Sequence, residues 1–141
     1  MIEQGLAQYM TADPTVSGMT SGRIYGGGML PKDVQLPVVV YQIAASVPIS
    51  SLAGDNPTQS KRFQFDGYAK DYGTLRQLMT AVRSLLLPRS DTGQSVSYGL
   101  PDGTFVQGVI LHEDHDMGFE VGQGGYVHRA LLDLQFTYTP G

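Results

Sequence analysis

Cysteine is missing from this 141-residue chain. That removes a disulfide framework and any thiolate metal site. Long hydrophobic runs are missing too. The longest, Leu36 to Tyr41, is strand-sized, far short of the ~20 apolar residues that cross a bilayer. The N-terminus has an acid at Glu3 and no basic segment before an apolar core, so no targeting signal is expected. Positive charge is scarce where it would have to cluster. The formal charge is −4, and a duplex-DNA binder usually presents a basic face. Residues 1–89 hold eight Lys/Arg against six Asp/Glu, a balance of +2; residues 90–141 hold Arg129 alone against seven acids, a balance of −6. The second half should therefore present an acidic surface, which repels nucleic acid and suits a basic protein partner.

Glycine is plentiful. Eighteen glycines and eight prolines argue for many turns rather than a helical bundle. Neither Gly26-Gly27-Gly28 nor Gly122-Gln123-Gly124-Gly125 ends in the Gly-Lys-Ser/Thr of a phosphate loop. They read as turns.

Residues 2–12 carry Ile2, Leu6, Tyr9 and Met10 at helical spacing. Asp13-Pro14 should end that helix, with a polar turn over 15–22. A brief strand follows at Arg23–Tyr25, and a β-branched strand runs from Pro37 to Ala44. Residues 46–61 read as a long polar loop, and Arg62–Tyr68 as a half-buried strand pairing back on 37–45. Asp71 is the expected N-cap of a helix over 72–87, whose apolar face is Leu75, Leu78, Met79, Val82, Leu85 and Leu86. Arg76 and Arg83 fall on the opposite side, and Pro88 stops it. Strands at 95–99, 104–112 and 126–138 complete the chain, the last with Ala130, Leu132, Leu134, Phe136 and Tyr138 facing one way. The segment 113–125 reads as an acidic, glycine-rich loop. The expectation is one α+β domain over 1–141: an antiparallel (mixed) β-sheet packed on one face by two α-helices, in the order α-β-β-β-α-β-β-β.

One dense group of potential ligands is present: His112, Glu113, Asp114, His115 and Asp116. Two imidazoles and three carboxylates could hold a divalent metal, which keeps a metal-dependent hydrolase as an alternative of another class. The spacing opposes it, because His112 and His115 point to opposite faces of a strand. A solvated acidic loop is the plainer reading. Asp66 with Lys70 or Arg62 reads as a solvent-facing strand polar residue in a surface pair, and Tyr25, Tyr41, Tyr68 and Tyr72 as core-edge tyrosines rather than a ligand box. No catalytic residue and no cofactor is expected.

The order of these features resembles one family. Gly22-Arg23-Ile24-Tyr25, then Leu36-Pro37-Val38-Val39-Val40-Tyr41, then Phe65-Asp66-Gly67-Tyr68-Ala69 leading into a capped helix are similar to the tail completion (tail terminator) proteins of long-tailed bacteriophages and prophages. The resemblance covers about residues 1–88. It implies a virion assembly protein, not an enzyme, that forms a commonly hexameric homo-oligomeric ring. Such a ring caps the tail tube and joins tail to head. The implied partners are copies of itself, the tail tube protein and head–tail connector proteins; DNA passes through the lumen without specific binding, and no membrane is involved. The implied place is the head-proximal end of the tail, after assembly in the host cytoplasm. A connector or tail tube subunit remains the alternative.

The long loop is the expected contact region. Val47, Ile49 and Leu52 are apolar in a polar setting, and Thr58 and Gln59 offer hydrogen bonds. Asp55, Lys61 and Arg62 complete the candidate subunit contacts.

Overall fold

The computed structural model describes residues 1–31, 33–47, 58–122 and 125–141. The first helix, α1, spans Ile2–Ala12. It stops at Asp13, whose extended backbone (ψ 124°) is the conformation a residue before proline prefers. The same dipeptide starts α2, Pro14–Thr20: the Asp13 side chain accepts from the Val16 amide at 2.9 Å, and Pro14 sits in the first turn. The expected polar turn over 15–22 is therefore mostly helix. It buries Val16 and Thr20 and ends on Ser21 in the left-handed region, φ 53°.

A two-residue strand, β1 (Ile24–Tyr25), runs parallel to β2 (Val38–Val47). The turn between them uses Gly27 and Gly28, both at positive φ. Strand β3, Gln59–Ala69, lies antiparallel to β2. Helix α3, Tyr72–Leu86, begins at Asp71, which accepts from the Thr74 amide at 2.8 Å. Three strands follow: β4 (Tyr98–Gly99), β5 (Phe105–Gly122) and β6 (Gly125–Thr139). The sheet order is β1-β2-β3-β6-β5-β4.

This corrects the expected fold class. The described chain is mostly β: a mixed six-stranded sheet curled into a half-barrel with three helices, in the order α-α-β-β-β-α-β-β-β. The two-helix α+β arrangement missed α2, and it missed the length of the last two strands. The segment read as an acidic loop over 113–125 continues β5 to Gly122, paired with β6. Three register shifts along β5, one next to Gly118 at φ 84°, let that long strand bend with its partner.

The core lies where the three helices meet the sheet. Leu75, Leu78, Met79, Val82 and Leu86 of α3 and Leu6 and Met10 of α1 close over Val39, Phe63, Phe65, Leu132, Leu134 and Phe136. Phe136 meets Phe63 and Phe65 edge-on, with centroids 5.7 and 6.2 Å away, the favoured geometry for ring quadrupoles. At Gly67 a Cβ would collide with the Met79 sulfur, so this glycine lets α3 lie close on β3.

Candidate functional site

The expected contact residues fall at one end of the β2–β3 pair. Residues 48–57, which include Ile49, Leu52 and Asp55, lie outside the described residues. The parts of the expected loop that are described are strand ends, with Val47 opposite Ser60. Gln59 accepts from the Tyr138 hydroxyl at 3.0 Å. Thr58 lies 3.4 Å from the Gln107 amide nitrogen. Lys61 pairs with Glu3 of α1 at 3.2 Å. Arg62 grips both carboxylate oxygens of Asp133 on the neighbouring strand β6, at 3.3 and 2.5 Å. The two cations are thus engaged within the chain, fastening α1 and β6 to β3.

Strand alternation divides the 112–116 cluster. Asp114 and Asp116 turn toward α3, where Arg83 lies 2.5 Å from Asp114 and Arg76 2.9 Å from Asp116. The Tyr72 hydroxyl also donates to Asp116 at 2.9 Å. His112 shares a 2.7 Å hydrogen bond with Gln135. Glu113 and His115 approach each other at 3.8 Å. Among the described residues, no three His, Cys, Asp or Glu side chains converge on one point. The two arginines expected on the outer side of α3 are its anchors to β5. The signal was present in the sequence as opposite charges, Arg76 and Arg83 against Asp114 and Asp116, but it is visible only once 113–116 is read as strand.

Two further readings are revised. Asp66 is not solvent-facing: its side chain is 5% exposed and pairs with Arg129 at 3.2 Å, not with Lys70 or Arg62. That arginine also stands over the Tyr68 ring, 5.7 Å from its centroid. Tyr41 packs beside Phe65 at 6.5 Å and Tyr72 bonds Asp116, so the tyrosines are dispersed rather than gathered into a box.

What sequence reasoning did not find is the state of the sheet's ends. Strand β1 covers only Val39 and Val40 of β2, and β4 covers only Phe105 and Val106 of β5. Beyond the Tyr41 carbonyl, which accepts from Gly28 at 3.0 Å, the outer side of β2 has no strand partner among the described residues. The outer side of β5 is likewise unpaired past Val109, whose amide meets the Ser95 hydroxyl at 3.3 Å. Met29 and Leu30 before β2, Ile43 in β2, Val96 before β4, and Phe105, Ile110 and Met117 along β5 are exposed apolar residues.

The class of protein these features belong to is that of virion structural proteins. Residues 4–138 match the family described as "Tail completion protein gp17", and the chain belongs to that family. It is a structural protein of a phage-type tail. Among solved structures it is similar to a chain of the virion of a native gene transfer agent particle. The TM-score is 0.66 and the identity 13%, over 98% of this chain and 94% of that one. At that identity the likeness is one of fold. No curated protein matches it in sequence.

Proposed function

We propose that the chain is the tail terminator: a non-enzymatic subunit that closes into a homo-oligomeric ring, caps the finished tail tube and joins it to the head. The ring is placed at the head-proximal end of the tail, between the tail tube protein and the head–tail connector, and assembles in the host cytoplasm. The observation that carries this reading is the family match over residues 4–138. Two features support it. Two of the three carboxylates in the 112–116 cluster are held by α3, as Asp114–Arg83 and Asp116–Arg76. The charge balance of −4 suits a lumen through which DNA slides without sticking.

The test is deletion of the gene from a particle that encodes it. Electron microscopy should then show overlong tails, or finished tails lying apart from filled heads. A chain carrying an epitope tag should be labelled at the head-proximal end of wild-type tails. Label along the whole tail would assign a tube subunit instead, and label on tail-free heads would assign a connector.

A further inference from the structure

We propose that neighbouring copies of this chain join edge to edge, the free outer side of β2 in one copy pairing with the free outer side of β5 in the next. This inference rests on the ring reading above and names the surfaces that make the ring.

The argument begins with the sheet's own rows. Ala45 of β2 is opposite Arg62 of β3, which is opposite Gln135 of β6, which is opposite Ile110 of β5. Ser46, Lys61, Phe136 and Val109 form the next row, and Ile43, Phe63, Leu134 and Leu111 the row on the other side. The two free edges therefore lie at the same height on opposite ends of one curled sheet. The successive antiparallel pairs β2·β3, β3·β6 and β6·β5 leave β2 and β5 running in opposite directions. A second copy continuing the sheet would bring its β5 antiparallel onto β2, the pairing with the more favourable hydrogen-bond geometry.

Sequence and exposure fit a covered edge. Solvent-facing edges are normally blunted by charge, proline or covering chain. From Gln42 to Val47 the outer strand has neither charge nor proline. Ile43 is 44% exposed beside it and Ile110 is 55% exposed at the other end. Beside Ile43 lies a depression of about 390 Å³ lined by Glu3, Gly26, Gly27, Tyr41, Gln42 and Phe63, room for a side chain of the neighbouring copy.

Charge selects the partner. Two β5 edges meeting would set the exposed Glu113 against its own copy, and like charges across a strand pair are destabilising. The uncharged β2 edge carries no such penalty against β5. Unlike edges pairing head to tail make a heterologous contact, which closes into a ring when the rotation permits.

The chain has no cysteine, so introduced thiols are the only ones. Ala45→Cys and Ile110→Cys, which sit on one row, are placed together in one chain, and tails assembled with it are treated with a short bis-maleimide. The expected result on a denaturing gel is a ladder from dimer up to the full ring, with each single variant remaining monomer-sized. A dimer from Ala45→Cys alone would show two β2 edges meeting about a two-fold axis and would overturn the head-to-tail pairing. Rings visible by microscopy without a ladder would overturn the edge pairing and leave the ring reading standing. Wild-type tails without a terminal ring would overturn both. As a second measurement, Ile43→Lys should leave the melting temperature of the subunit unchanged while ring assembly falls about tenfold or more, as for a buried interface anchor. Unchanged ring yield would count against the pairing.

Discussion

Leu78 and Leu85 sit seven residues apart on α3, and periodicity places both on its apolar face. Only Leu78 is fully buried; Leu85 is half-buried at the rim, and the neighbouring Leu86 fills the core instead. The reason is that 3.6 residues per turn carries an apolar stripe around the helix, so a seven-residue step drifts by about 20°. Leu78→Ala should then cost roughly 2–5 kcal/mol, the range for a core leucine, and Leu85→Ala clearly less. Equal losses in chemical denaturation would place the rim wrongly. The cap of the same helix titrates. The Thr74 backbone amide and then its hydroxyl hold the Asp71 carboxyl below the usual carboxylate range. A carboxyl depressed by folding adds stability above its unfolded pKa and loses it as pH falls through the folded one. Asp71→Asn keeps an acceptor for Thr74 but does not titrate in that range. The melting advantage of wild type over this variant should therefore shrink as pH falls from about 5 toward about 2. A constant difference would mean the charge on Asp71 adds nothing.

At the scale of elements, what was legible followed from unbroken periodicity. The alternation of Phe63 and Phe65, the spacing along 75–86 and the run at 38–44 all became β3, α3 and β2, and Leu78 and Val82 do meet Val39, Phe63 and Phe65 in the core. What was lost depended on partners distant in sequence. Asp13-Pro14 carries both a stop and a start, and only the buried Val16 and Thr20 show that a second helix follows the first. Residues 113–116 look like a loop because acids are rarely set in strands; here Arg76 and Arg83 of α3 accept two of them. Among the expected contact residues, Lys61 and Arg62 pair within the chain with Glu3 and Asp133, partners no local pattern announces. The linker 48–57 remains the sequence's own candidate for docking on a neighbour, because a two-residue turn could join two antiparallel strands. Replacing residues 49–58 with a short glycine bridge should leave the cooperative melt in place, since the core lies elsewhere. Tails built with that variant should fail to terminate or to join heads under the microscope. Normal virions from the deletion would sink the docking role of this linker.

For the molecule as a whole, the division of charge is the property with the widest reach. The balance of +2 over residues 1–89 and −6 over 90–141 does not separate into two lobes, because the sheet interleaves the halves: β3 from the first lies against β6 from the second. Basic groups of one half meet acids of the other, as in Arg62–Asp133, Arg129–Asp66 and Arg83–Asp114. Among the described residues, those pairs occupy Arg62, Arg83 and Arg129 with acids, so these three are not set out as a basic stripe of the kind a duplex backbone needs. Non-specific DNA binding draws on release of counterions by Lys and Arg set along the phosphates, and typical non-specific binders reach dissociation constants of about 10⁻⁴–10⁻⁶ M at physiological salt. This chain should bind duplex DNA more weakly than that range in fluorescence anisotropy at about 0.15 M salt. Lowering the salt should bring little gain, because a weak slope of log K against log salt follows from few phosphate contacts. Charge reversal offers the complementary arm. Glu113→Lys changes an exposed strand residue that approaches His115 at 3.8 Å, and it should raise DNA affinity and steepen the salt slope. Binding by the wild-type chain within the non-specific range, with a steep salt slope, would show that phosphate contacts form after all and would remove the case for a lumen that lets DNA slide.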